Sequence, residues 1–240
     1  MIPIKDDNPT QTFPIITIVL IVLNVVIYAV QVSLGDGAEA FIYRFGAIPF
    51  EISHFQELPK LPFAFQTRMP NIFTLITAMF LHGGLFHLLG NMLYLWIFGD
   101  NVEAIMGSMR FLAFYLLCGL IAALSHIIIE PNSTVPMVGA SGAISGVLGA
   151  YFLRFPRARV HVLIIFFFIF RVIRVSALFV LGFWFLIQLS NGLGQMKLNP
   201  TGSGVAWFAH IGGFIAGMIL VYFFEKKHKT RIYGRRGWWW

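Results

Sequence analysis

The chain is a succession of long apolar runs broken by short polar stretches. A helix needs about 20 predominantly apolar residues to cross a bilayer, with a range of roughly 17 to 25. Runs of that kind fall at residues 14–32, 84–105, 110–129 and 205–224. Two shorter ones, 141–155 and 175–189, complete a pattern of six predicted spans, the fourth being the shortest. A long stretch with mixed charges and several prolines, 33–83, separates the first two spans. Residues 160–170 are nearly all apolar but give only about half a span. Arg157 and Arg159 precede them, and Arg171 and Arg174 follow. This stretch reads as an interfacial or re-entrant segment, with a kinked extension of the fifth helix as the alternative.

Composition agrees with the pattern. Of 240 residues, 58% are hydrophobic and 11% charged, against about 25% charged in a soluble domain. That excludes an ordinary water-soluble globule and predicts an all-α, polytopic membrane protein. The net charge is +7. The basic residues cluster beside the apolar runs, which reads as topology and lipid contact; no nucleic-acid partner is expected. The first run is long for a signal sequence and lacks a basic leader, so it is expected to remain as a helix. A single cysteine, Cys118, excludes an intrachain disulfide.

Six spans put both termini on one side. Of the 17 Lys and Arg residues, only Arg44, Lys60, Arg68 and Lys197 then fall on the other. Such a bias predicts cytoplasmic termini. The expected organisation is a short cytoplasmic tail at 1–13, a membrane domain at 14–224 and a basic cytoplasmic tail at 225–240. The expected location is a bacterial plasma membrane.

Orientation gathers the polar groups of the spans. The second, fourth and sixth spans all enter from the outer face. Ser141 begins the fourth, His210 lies about two turns into the sixth, and His82, His87 and Asn91 flank and enter the second. At 1.5 Å per residue they all lie within roughly 10 Å of the outer boundary. His87 and Asn91, four apart, share a helical face. Gly142 and Gly146 form a small-residue stripe on the fourth span, with Ser145 beside it. Gly213 and Gly217 form another on the sixth, on the face of His210. Such stripes let membrane helices approach closely, which predicts Ser141 within hydrogen-bond reach of His210, as activation of a serine nucleophile requires. Each feature alone reads as helix packing. Three distant segments delivering polar side chains to one depth read as a site.

At these motifs the chain resembles the rhomboid family of intramembrane serine proteases. The resemblance covers about residues 71–224. It rests on the stretch from His82 to Asn91, on Gly99-Asp100-Asn101-Val102-Glu103, on Gly139-Ala140-Ser141-Gly142 with Ser145 and Gly146, and on Ala209-His210-Ile211-Gly212-Gly213 with Gly217. It implies a six-helix bundle with a short central fourth helix, a water-filled cavity above it and a long lateral first loop. It implies Ser141 as nucleophile and His210 as general base, with no third carboxylate. His87, Asn91 and the Ser141 backbone N–H would stabilise the oxyanion. It implies no cofactor and no metal, and substrates that are transmembrane proteins within the lipid bilayer. The loop at 191–204 would be a cap over the cavity. Some relatives stack an aromatic residue on the base from the position of Ser145, so orientation of His210 here falls to Trp207 or to glycine packing.

Rival chemistries fit less well. A zinc protease needs clustered ligands such as H-E-x-x-H, which the chain lacks. His82 and His87 would lie roughly 140° apart on a helix. No aspartate pair lies in two spans. A transporter needs a polar path through the lower half of the bundle. His126, near the outer end of the third span, competes with His210 as base but lacks a glycine stripe. The alternative from another class is a non-catalytic rhomboid-like protein that binds membrane clients.

Overall fold

The computed structural model describes residues 2–10, 12–58, 71–166, 168–198 and 205–226. Its helices are α1 (Ile15–Ser33), α2 (Ala38–Phe45), α3 (Pro49–His54), α4 (Thr74–Thr77), α5 (Leu85–Met106), α6 (Ser108–Ile129), α7 (Ser141–Arg154), α8 (Ala177–Leu198) and α9 (Trp207–Phe224). Strands β1 (Ile2–Asp6), β2 (Arg159–Phe166) and β3 (Ile169–Ser176) form one small sheet. Among the described residues, α1, α6, α8 and α9 are each long and apolar enough to cross a membrane. The segment Asn71–Phe80 and α5, bent by 79°, form a fifth candidate.

Packing inverts the order of a water-soluble bundle. Lipid tails are as apolar as leucine, so helix association rests on close packing and internal hydrogen bonds. In α1 the buried residues are Thr17, Leu20, Asn24 and Gln31, while Val19, Val22, Val25, Val26 and Val30 are exposed. The buried polar groups have work to do. Glu103 of α5 accepts hydrogen bonds from the Ile16 and Thr17 amides (3.0 and 2.8 Å) and from the Thr17 hydroxyl (2.8 Å). It also accepts one from Ser108 Oγ (2.6 Å). A carboxylate thus caps the first turn of α1, where amides lack intrahelical partners. At the far end of α1, Gln31 Nε2 donates to the His82 carbonyl (2.7 Å) and Gln31 Oε1 accepts from the His82 amide (3.3 Å). This clamps the chain just before α5.

Helix α7 is central. Every residue from Ala143 to Tyr151 is buried. Its 14 residues span about 21 Å, short of the roughly 30 Å hydrocarbon core. The helix therefore begins well inside the bundle. Gly107 makes the one-residue break between α5 and α6 at φ +79°, a conformation L side chains rarely adopt.

Two expectations need correction. Residues 160–166 and 169–170 are not an extension of the fifth helix. They pair in an antiparallel hairpin, with Arg159 opposite Ser176 and Phe166 opposite Ile169. Val160 and Val162 of β2 are buried and join the hydrophobic core of the bundle. The β-branched content favours strands, but a short apolar run does not reveal its period from sequence. β1 adds to the other edge of β2. The fifth helix, expected over 175–189, continues to Leu198. A Cβ on Gly192 would lie 3.3 Å from the Phe208 ring, so close tertiary contact there accompanies a residue of low helix propensity. The expected cap at 191–204 is therefore helical at its start, and residues 199–204 lie outside the described residues. The lateral first loop carries α2, α3 and α4, and residues 59–70 of it also lie outside them.

The sheet and both described chain ends fall at one end of the bundle. Asp6 accepts hydrogen bonds from the Tyr151 hydroxyl and from Asn101 Nδ2 (3.2 Å). Arg154 pairs with Glu225 at 2.5 Å. Asp7 meets His161 at 2.7 Å. Burial, the larger influence, pushes the Asp6 carboxyl up to about 6 despite the Tyr151 bond. The His161 hydrogen bond holds Asp7 below the usual carboxylate range.

Candidate active site

Glycines decide how α7 and α9 meet. A Cβ on Gly213 would lie 2.2 Å from the Gly142 carbonyl oxygen, and one on Gly217 only 1.9 Å from that of Gly146. From the other side, a Cβ on Gly149 would lie 2.1 Å from the Phe214 carbonyl oxygen. Backbone touches backbone along the two helices. Gly213 and Gly217 rest on the carbonyls of Gly142 and Gly146, whose own Cβ positions face Ala122 and Cys118 of α6.

This approach brings Ser141, the first residue of α7, against His210, one turn into α9. Ser141 Oγ and His210 Nε2 are 2.8 Å apart. On the other side of the ring, His210 Nδ1 is 2.9 Å from Gln188 Oε1 of α8. Ser145 does not reach the histidine; its hydroxyl donates to the Ser141 carbonyl at 2.6 Å. Trp207 stands edge-on to His210 with ring centroids 6.2 Å apart, and Trp184 lies tilted at 6.1 Å. Neither ring stacks on the imidazole. Gln188 is absent from the sequence motifs. Its only signal was a polar side chain in an apolar run.

The other anticipated side chains gather on the same side of Ser141. Gly139 adopts φ +122°, and a Cβ there would strike His87 Cε1 and Nε2 at 2.8 Å with Ser141 Oγ at 3.6 Å. The His87 ring therefore occupies the space beside the serine that only glycine leaves free. His87 Nδ1 accepts from the Gly83 amide at 3.3 Å, which leaves the proton on Nε2, the nitrogen nearer Gly139. Asn91 is buried, and its Nδ2 has no hydrogen-bond partner among the described protein groups. Buried amides are nearly always paired, so this one is an exception, in a residue that lines a cavity. The Ser141 amide lies in the first turn of α7, where N–H groups have no intrahelical acceptor. His82 is fully buried between the edges of Tyr28 and His87, held by the Gln31 clamp. It supports His87 and does not line the cavity.

Ser141, His210, His87, Asn91, Ser145, Gln188, Trp184 and Trp207 all line one cavity of about 430 Å³. A second cavity of about 50 Å³ opens on the other side of Ser141, walled by small or flexible residues including Gly119, Ala122, Ala143 and Met79. A third, of about 120 Å³, lies beside His87 and holds His126, Glu130 and Gln195. There Glu130 accepts from Gln195 Nε2 at 2.7 Å and lies 3.9 Å from His126 Nε2. Burial pushes the Glu130 carboxyl up. His126 thus faces Glu130, while the Ser141 hydroxyl is engaged by His210. Among the described residues, no group of three or more His, Cys, Asp or Glu side chains is arranged to hold a metal ion.

Several apolar helices with a buried polar floor define a multi-pass helical membrane protein. A family model for the Rhomboid domain matches residues 70–227, more than half of the chain, and the chain belongs to the rhomboid family. It is 35% identical to "Rhomboid protease GluP" of Bacillus subtilis over 143 residues, 60% of this chain and 24% of that protein. It is 42% identical to "Putative rhomboid protease YdcA" of the same organism over 77 residues, 32% of this chain and 38% of the relative. Identity to "RHOMBOID-like protein 1" of Arabidopsis thaliana is 26% over 240 residues, 93% of this chain and 57% of the relative. The chain thus spans less than two thirds of the length of these relatives.

Proposed function

We propose that this chain is an intramembrane serine endopeptidase that hydrolyses a peptide bond near the outer end of transmembrane substrate helices. The observation that carries the reading is the 2.8 Å contact between Ser141 Oγ and His210 Nε2 at the wall of a cavity. His210 Nε2 takes the Ser141 proton as Oγ attacks the scissile carbonyl. The carbonyl oxygen becomes an oxyanion, met by His87 Nε2–H, Asn91 Nδ2–H and the Ser141 amide. The proton passes from His210 to the departing amine as the C–N bond breaks, leaving an acyl-serine. Water, deprotonated by His210, then attacks the acyl carbon; the C–Oγ bond breaks, His210 returns the proton to Ser141 Oγ, and the new carboxyl terminus is released.

Backbone carbonyls of an intact helix are occupied by internal hydrogen bonds, so the substrate unwinds locally before it reacts. The 50 Å³ cavity beside Ser141 supports a small side chain before the cut. Six spans, with α7 as the short central one, keep the termini together on the basic side. That side is cytoplasmic by charge asymmetry, and the cavity opens to the outer face of a bacterial-type plasma membrane.

The test is covalent labelling of the full chain in liposomes with a fluorophosphonate. Labelling that disappears in Ser141→Ala is expected. An unlabelled parent protein would leave the non-catalytic, client-binding reading in its place.

A further inference from the structure

We infer that Gln188 is the positioning residue of the Ser141–His210 pair, an uncharged third member that selects the imidazole tautomer competent to act as base. The inference rests on the protease reading above and goes beyond it, since neither the sequence motifs nor the two-residue chemistry calls for a residue on α8.

A neutral imidazole carries one proton, on Nδ1 or on Nε2, and the hydrogen bond made by one nitrogen decides the role of the other. Only the Nδ1–H form leaves a lone pair on Nε2 to receive the Ser141 proton. The group facing Nδ1 must therefore accept. Gln188 presents either an oxygen or an NH₂ there, depending on the rotation of its amide. The choice is made one turn earlier on α8. Gln188 Nε2 lies 3.2 Å from the Trp184 carbonyl oxygen and donates to it. Rotating the amide would put Oε1 against that carbonyl, two acceptors face to face, and would aim NH₂ at Nδ1. The Trp184 carbonyl thus fixes the Gln188 amide. Its oxygen then accepts from His210 Nδ1–H at 2.9 Å, and Nε2 is left as the acceptor facing Ser141 Oγ at 2.8 Å.

Among the described residues, no other contact does this work. Ser145 is committed to the Ser141 carbonyl, and the Trp184 and Trp207 rings are too far from His210 to stack. Gln188 is itself buried, which restricts its side chain to the position beside Nδ1. A neutral acceptor also suits the depth, where a carboxylate would be costly.

The experiment compares the parent, Gln188→Leu and Gln188→Glu as full chains in liposomes. The readouts are the fluorophosphonate labelling rate, cleavage of a fluorescent single-span peptide, and ¹⁵N NMR of labelled histidine. Gln188→Leu is expected to slow labelling and kcat by about 10- to 100-fold, the range for leaving one buried hydrogen-bonding group unpaired, with KM little changed. Gln188→Glu, kept protonated by burial, donates its O–H to the Trp184 carbonyl, keeps an oxygen before Nδ1 and recovers most of the lost rate. The parent His210 signal is expected to show Nδ1 protonated, and Gln188→Leu a mixture of tautomers. A parent that labels normally together with unchanged rates in Gln188→Leu overturns the inference. So does a Gln188→Glu rate no better than Gln188→Leu, or a parent His210 protonated on Nε2. Failure of the protease reading looks different: the parent itself goes unlabelled at Ser141, and the inference falls with it.

Discussion

Gly213 of α9 lies so close to Gly142 of α7 that a Cβ on it would come within 2.2 Å of the Gly142 carbonyl oxygen. The obstructing atom is backbone and cannot rotate away. The separation of the helices, and with it the Ser141–His210 contact, is set by the absence of a side chain.

Gly213→Ala is therefore expected to push α9 from α7 by roughly 1 Å, enough to carry a 2.8 Å contact out of hydrogen-bond range. Misplacement of that size costs about 10²-fold in rate. Fluorophosphonate labelling should fall by that factor while the protein stays membrane-inserted. Near-parental labelling would show that the helices have slack to absorb a methyl group.

Asn91→Ala removes one donor of the three assigned to the oxyanion. Loss of one such donor costs about 10² to 10³ in kcat at comparable sites, and His87 and the Ser141 amide remain. Partial loss of kcat with little change in KM is expected, against complete loss in Ser141→Ala or His210→Ala. Steady-state cleavage of a single-span peptide separates the cases; a purely raised KM would assign Asn91 to substrate binding instead.

Glu103→Ala should damage stability more than chemistry. The carboxylate receives three hydrogen bonds from the start of α1 and one from Ser108 at the start of α6, far from Ser141. Leaving such buried donors unpaired costs about 1–3 kcal/mol for each fully desolvated group. A lowered unfolding temperature is expected, with Ser141 labelling intact at low temperature. Loss of labelling in protein that remains folded would mean that this end of the bundle acts on the site.

Asp6 predicts a pH dependence confined to the sheet end. Burial raises its carboxyl from 3.8 to about 6, so the fold favours the protonated form. Its stabilising contribution is complete below pH 3.8 and is lost as pH rises through about 6. Unfolding temperature of the parent should decline across that window relative to Asp6→Asn. Parallel curves for the two proteins would remove Asp6 as the cause.

Much of this was legible in the chain. Helical spans reveal themselves because a bilayer demands one length and one composition, and their ends fell within a few residues for α1, α5, α6, α7 and α9. Spacing of four placed His87 with Asn91 and Gly213 with Gly217, because a regular helix repeats its faces. The hairpin at Arg159–Ser176 was not legible, since its pairing lies between β2, β3 and a strand more than 150 residues earlier. Nor was the full length of α8, which holds Gly192, a residue of low helix propensity in close contact with Phe208.

By itself the sequence determined where most of the long apolar helices lie, because membrane thickness and helical periodicity are local rules. It predicted Ser141, His210, His87 and Asn91 together, and they line one cavity. Only the tertiary structure decided which nitrogen of His210 faces which neighbour. That depends on Gln188, on another helix, and on the Trp184 carbonyl that turns its amide. A hydrogen bond is specific to a few tenths of an ångström and a rotation about one bond, and no spacing along the chain encodes either.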